Sequence, residues 1–244
     1  DEEALAAADR ERHATALANV DTAIMVDPGN IDLYVRAAYW AYDGKFYDVA
    51  LQYSNKALEL EKPGKPEISM REVQMLVHRA RGEYKEASKW ATELMDAIDL
   101  ARDDTSSYLR AVDVQLEAAD ALKNDDLAMD VTKKALERLP DNMTLKKNLA
   151  VMFARRGEFD QAMKIYEEVL QRNPNDYNAN LDIGIILYNN QQWSEAVDYL
   201  EKVHKLEPDN TRVIKMLMGA YFNTDQPDKG SLMQQKLKAI QGAE

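Results

Sequence analysis

The sequence predicts an all-α protein built by stacking antiparallel helix pairs, and three observations carry that reading. The first is composition: 45% hydrophobic and 30% charged residues with only 9 Gly and 7 Pro in 244, a mixture rich in helix formers that also supplies enough apolar surface for a sizeable core. The second is a period. Pro140, Pro174 and Pro208 stand 34 residues apart, and self-similarity at a fixed interval of that size marks a repeat architecture. The third is the pattern around those prolines, where residues 150–174 (AVMFARRGEFDQAMKIYEEVLQRNP) lie in phase over 184–208 (GIILYNNQQWSEAVDYLEKVHKLEP). Both read as helix, turn, helix, stop.

Each element of the repeat has a physical reason. A short block after each turn, FYDVA, EYKEA, DDLA, EFDQA and QWSEA, ends on a small residue at Ala50, Ala87, Ala128, Ala162 and Ala196, and the same period extends to Ala16 and Gly230. Small residues let two helices approach closely, and the aromatics beside them fill the space toward the next unit. A proline closes the second helix because it cannot donate the next backbone hydrogen bond. The small residues are spaced 34, 37, 41, 34, 34 and 34 apart. The two long intervals coincide with the loop-like stretches EKPGKPE near Pro63 and LARDDTSS near Asp104, so the insertions fall between units. The expected division is one domain of about seven units: 1–30 (partial, closed by Pro28), 31–64, 68–101, 109–142, 143–176, 177–210 and 211–244 (divergent, with Pro227 in its turn), with inserted loops near 62–67 and 100–108. Unit 109–142 departs from the pattern in its first helix, where Gln115 and Ala119 replace larger apolar residues.

Charge and motif content exclude several classes of function. The formal net charge of −12, from 31 basic and 43 acidic residues, argues against a nucleic-acid backbone or an anionic membrane as the principal partner, since both need a basic footprint. No run approaches the roughly 18 apolar residues of a membrane helix, and no signal peptide is present. The expected chain is soluble, with cytoplasmic and bacterial periplasmic or lipoprotein-anchored locations both open. A start at Asp1 rather than Met reads as a processed mature chain or an excised fragment. The absence of cysteine rules out disulfides and thiolate metal sites and leans toward a bacterial extracytoplasmic setting. No Gly-rich phosphate loop, HExxH, Gly-x-Ser-x-Gly or cysteine nucleophile occurs, so no cofactor, metal or catalysis is expected. His13, His78 and His204 fall in different units without an i, i+4 partner. Asp103–Asp104 and Asp125–Asp126 lack the alternating spacing of a calcium loop and read as turn and cap residues. Trp40, Trp90 and Trp193 read as packing residues near the turns.

The repeat resembles the tetratricopeptide repeat (TPR) family. The resemblance rests on a small residue late in the first helix (Ala150, Gly184), an aromatic or leucine three further on (Phe153, Leu187) and an aromatic near the turn (Phe159, Trp193). The second helix adds Ala162 and Ala196, Tyr166 and Leu200, and the closing Pro174 and Pro208. It covers essentially the whole chain, with 143–176 and 177–210 matching best. The resemblance implies a right-handed superhelical solenoid whose first helices line a concave groove. In the best-matched units that groove would present Thr144, Lys147, Val151 and Arg155, then Asn178, Leu181, Ile185, Tyr188 and Asn189, then Arg212, Lys215, Phe222 and Asn223. On an acidic protein this strip is locally basic, and it suits a protein or peptide segment with acidic and apolar side chains.

The implied function is therefore a non-catalytic adaptor or scaffold, of bacterial type, that binds a peptide segment in its groove. The alternatives are a self-assembling module that stacks on further copies through its end units, and a regulatory part of a larger protein or enzyme. One ligand class can be tested on the residues. Some family members grip chaperone C-terminal tails with a two-carboxylate clamp of Lys and Asn, then Asn, then Lys and Arg. The aligned positions here are Lys147, Val151, Asp182, Arg212 and Met216, so both asparagines are lost and Asp182 would repel a carboxylate. The resemblance does not extend to that clamp.

Overall fold

The computed structural model describes residues 2–65, 67–100, 103 and 105–242, with side chains from residue 7 onward. Residues 66, 101, 102 and 104 of the two inserted stretches, including Asp104 of the first acidic pair, lie outside the described residues. Within them the chain forms thirteen helices: α1 (Glu2–Val26), α2 (Ile31–Asp43), α3 (Tyr47–Glu59), α4 (Ile68–Ala80), α5 (Tyr84–Ala97), α6 (Thr105–Ala121), α7 (Asp125–Arg138), α8 (Met143–Arg155), α9 (Phe159–Arg172), α10 (Tyr177–Asn189), α11 (Trp193–Leu206), α12 (Thr211–Phe222) and α13 (Pro227–Gln241). Among the described residues β-structure is confined to an isolated bridge between Lys62 and Lys65. Among the described residues no helix is long and apolar enough to cross a membrane.

Four helices start on a cap that stands two residues after a proline. Pro28, Pro140, Pro174 and Pro208 are followed by Asn30, Asn142, Asp176 and Asn210. Asn30 accepts from the N–H of Asp32, Asn142 from Leu145, Asp176 from Ala179, and Asn210 from both Arg212 and Val213. The proline stops one helix and the cap opens the next, each cap contributing about 1 kcal/mol.

The turn inside five of the six pairs, all but α12–α13, is built differently and the same way each time. Lys45, Gly82, Lys123, Gly157 and Gln191 all have positive φ, between 53° and 76°. The N–H of the following residue then donates to a carbonyl five residues back: Phe46 to Ala41, Glu83 to His78, Asn124 to Ala119, Glu158 to Phe153 and Gln192 to Leu187, at 2.7–2.9 Å. This satisfies an orphan carbonyl of the first helix and reverses the chain into the second. Each left-handed residue stands five positions before one of the alanines 50, 87, 128, 162 and 196, so the turn sets which residue of the second helix meets the first.

The chain divides into two compact units, Asp1–Lys134 and Ala135–Glu244. In the first, α1 packs on α2, and contacts then run in chain order through α3, α4 and α5 to α6, with α2 touching α4 and α4 touching α6. Its core is Leu17, Val20, Ala37, Ala38, Ala41, Ala50, Ala57, Met70, Val73 and Val77, with Tyr34. In the second, α8 pairs with α9, α10 with α11 and α12 with α13, while α9 meets α10 and α11 meets α12. Ala50, Ala87, Ala162 and Ala196 are fully buried, and Gly230 is buried with Phe222 against it. Gln115, which departs from the apolar pattern, is also buried. Its amide nitrogen donates to Ser88 O (2.9 Å) and Thr92 Oγ1 (2.5 Å), and its oxygen accepts from Ser88 Oγ (2.6 Å). Gln74 Nε2 donates to Ser54 Oγ (2.9 Å) and Asn55 Oδ1 (2.6 Å). A buried amide costs little once its groups are paired.

Two substitutions test this construction by urea denaturation. Gln191→Gly, which removes a side chain from the left-handed region at φ 61°, is expected to raise stability by about 0.5–1 kcal/mol. Gly184→Ala would place a Cβ 2.7 Å from Leu200 Cδ2 and 2.9 Å from its Cγ, and is expected to cost about 1–3 kcal/mol. An unchanged midpoint in Gly184→Ala would mean that the α10–α11 seam yields freely.

Candidate functional site

The residues expected to line a groove lie on α8, α10 and α12, and the structure treats them unequally. A cavity of about 360 Å³ is lined by Ile185, Tyr188 and Asn189 from α10 and by Thr211, Arg212, Lys215 and Met216 from α12. Five of these seven are residues the sequence singles out. Thr211 and Met216 are additions, each adjacent to one of the two cations. Counting back four from Lys215 and forward four from Arg212 on one helix face reaches them.

Local packing shapes this cavity. The Tyr188 ring meets Trp193 edge-on with centroids 4.8 Å apart at 74°. Its hydroxyl reaches α12 at Gly219, where a Cβ would lie 2.4 Å from the Tyr188 oxygen. Glycine at 219 is thus what allows Tyr188 to lie across to the next pair. Arg212 and Lys215 are exposed. Among the described residues no carboxylate lies within ion-pair distance of either, and none lines the cavity. The lining is rich in hydrogen-bond donors, with an apolar floor of Ile185 and Met216, and suits an anionic group carried on an apolar chain.

The other expected residues are placed elsewhere or are already engaged. Lys147 Nζ lies 3.2 Å from Asp176 Oδ2, the same carboxylate whose Oδ1 caps α10. Val151 and Leu181 are half-buried, while Arg155 and Asn178 are exposed. Phe222, 48% exposed, lies against Gly230 of α13 and outside the cavity lining. Asn223 Nδ2 donates to Gly219 O of its own helix (2.8 Å).

Asp182, one turn into α10, accepts a hydrogen bond from Tyr166 Oη of α9 at 2.8 Å. Burial pushes its carboxyl above the usual aspartate range and Asp176 adds to the rise, against the Tyr166 bond and the Arg212 charge, which hold it down. Tyr166 is pushed up in turn, first by burial and then by its bond to Asp182. His13 Nδ1 lies 2.7 Å from Asp9 O and His78 Nδ1 lies 2.5 Å from Glu83 Oε2, and among the described residues no group of three metal-ligating side chains is found.

In the first unit the corresponding helices carry their own counter-charges. Arg110 of α6 pairs with buried Glu72 of α4, and Arg79 of α4 pairs with Glu117 of α6 at 2.6 Å. Residues 1–134 hold 17 Lys and Arg against 27 Asp and Glu, and residues 135–244 hold 14 against 16. The acidity of the chain therefore belongs mainly to the first unit.

The Asp182 environment gives a pH dependence with a definite sign. A carboxyl raised on folding is protonated more readily in the folded state, so its ionisation costs stability, and the cost is relieved as pH falls through the folded value. Asp182→Asn keeps an acceptor for Tyr166. It is expected to melt higher than the parent at neutral pH, with the difference shrinking as pH is lowered through the acid range. A constant difference would show that ionisation of Asp182 is not what limits stability there.

Comparison with known proteins places the fold. The tetratricopeptide repeat family matches residues 153–200. Among solved structures, YrrB, whose structure is described as that of a TPR protein with an unusual peptide-binding site, superposes with a TM-score of 0.58 at 18% identity, covering 80% of this chain and 96% of its own. MamA residues 41 to the end from Desulfovibrio magneticus RS-1 gives 0.57 at 15% identity, covering 72% and 96%. MamA of AMB-1 gives 0.56 at 19% identity, covering 72% and 93%. No curated protein matches at a significant level. The chain thus carries a tetratricopeptide-repeat match at residues 153–200, and its stacked helix pairs share the fold of solved TPR proteins.

Proposed function

We propose that this protein-interaction scaffold holds a segment of another protein across α10 and α12, and that it does so without catalysis. The observation that carries the reading is the 360 Å³ cavity whose lining pairs two cations, Arg212 and Lys215, with an apolar floor and includes no carboxylate. The cations orient an acidic side chain of the partner, Ile185 and Met216 bury the apolar side chain beside it, and Asn189 and Thr211 pair with peptide backbone. YrrB, of similar fold, is described as having a peptide-binding site, which supports a binding role for this class of surface. In the first unit the ion pairs Arg110–Glu72 and Arg79–Glu117 already satisfy the charges that a ligand would need.

The test is selection from a randomised dodecapeptide library displayed on phage. The parent chain is expected to enrich peptides that combine Asp or Glu with Leu, Ile or aromatic residues. The double change Arg212→Glu with Lys215→Glu is expected to weaken those peptides about tenfold or more, each reversal costing on the order of 1 kcal/mol, with the circular dichroism spectrum unchanged. Lys164→Glu, an exposed cation on α9, serves as the control for general electrostatics. Equal weakening by the control, or none by the double change, would move the binding surface away from this cavity.

A further inference from the structure

The repeat supplies a second position to compare with the cavity. The caps Asn142, Asp176 and Asn210 and the left-handed turn residues Gly157 and Gln191 each recur at 34 residues, so α8 and α10 stand in the same local construction as α10 and α12. Moving back one period from the cavity, Arg212 is replaced by Asn178, Lys215 by Leu181, Met216 by Asp182, and Asn189 by Arg155. The cavity lining therefore holds two cations and no acid, with the Arg212 charge also reaching Asp182, whereas the preceding position holds one cation and one carboxylate. Lys147, a further cation of α8, is committed to Asp176 at 3.2 Å.

We infer that Asp182 sets the charge order of the bound segment: the α10–α12 position takes an anionic side chain, and the preceding position refuses one. Asp182 is held in place by Tyr166 Oη at 2.8 Å, so it cannot swing away from an approaching acid without breaking that bond. The carboxylate is half-buried, where like-charge repulsion is screened less than at the open surface. Burial raises its proton affinity, in keeping with a site that already tolerates its own negative charge poorly. Leu181 and Val151, both half-buried, leave the preceding position suited to an apolar or neutral side chain. The partner is thus a segment whose acidic residues cluster at one end, followed by an apolar stretch. Negative selection of this kind, an unfavourable contact built against the wrong sequence, is a common source of specificity.

This inference rests on the binding reading above, and the library selection separates the two. Parent-chain winners are expected to carry acidic residues at one end only. Winners selected on Asp182→Asn, which retains the acceptor for Tyr166, are expected to carry them at both ends. For a synthetic dodecapeptide with Glu pairs at both ends, affinity relative to its single-ended counterpart is expected to rise about fivefold on Asp182→Asn. Winners of the parent chain that are acidic at both ends, or a charge order unchanged in the variant, would overturn the role of Asp182 while leaving the cavity intact. Winners indifferent to Arg212 and Lys215 would overturn the cavity itself and this inference with it.

Discussion

The close approach of two helices at a residue without a bulky side chain is the constraint on which the rest of the structure depends. At Ala50, Ala87, Ala162 and Ala196 the second helix of a pair is fully buried against its neighbours, and at Gly184 even a methyl group would collide with Leu200. Such an approach works only if the chain reverses at a fixed distance from the contact. The left-handed residue five positions earlier does this, and the hydrogen bond that follows it pays for the turn with a carbonyl that would otherwise be orphaned. Glycine occupies the left-handed position in two pairs and Lys or Gln in three. The strain at those three positions is borne because the packing beyond the turn over-determines the conformation.

Once the contacts are fixed in this way, polar residues can enter the seams if each finds a partner. Gln74 and Gln115 bridge neighbouring helices of the first unit through Ser54, Asn55, Ser88 and Thr92. In the second unit the Tyr166–Asp182 bond links α9 to α10, and Tyr221 Oη donates to Glu201 at 2.6 Å to link α12 to α11. These pairs join successive repeats, which hydrophobic burial alone would leave free to slide. They also account for the degenerate first helix of residues 109–142, whose Gln115 is a seam residue with all its amide groups used.

Charge is handled differently in the two units. The first, though strongly acidic, closes arginines of its α4 and α6 helices with its own carboxylates. The second is nearly neutral in sum, yet leaves Arg212 and Lys215 in a cavity wall that includes no carboxylate. A desolvated cation without a partner is costly, whereas these two are exposed to water.

The helical class, the helix pairs and their stops were legible in the sequence because proline, capping Asn and Asp, and the small residues act locally, through backbone geometry that neighbours in the chain dictate. Which positions of α8, α10 and α12 form one strip was legible in outline for the same reason, since helical periodicity decides which positions share a face. Tertiary structure decided which members of that strip are available. Lys147 is spent on Asp176, Phe222 turns to Gly230, Asn223 bonds its own helix, and Asp182 is held by Tyr166. Apart from the local Asn223 bond, these pairings join residues from eight to about thirty positions apart, and their formation depends on distances across the packed helices that a one-dimensional pattern does not contain.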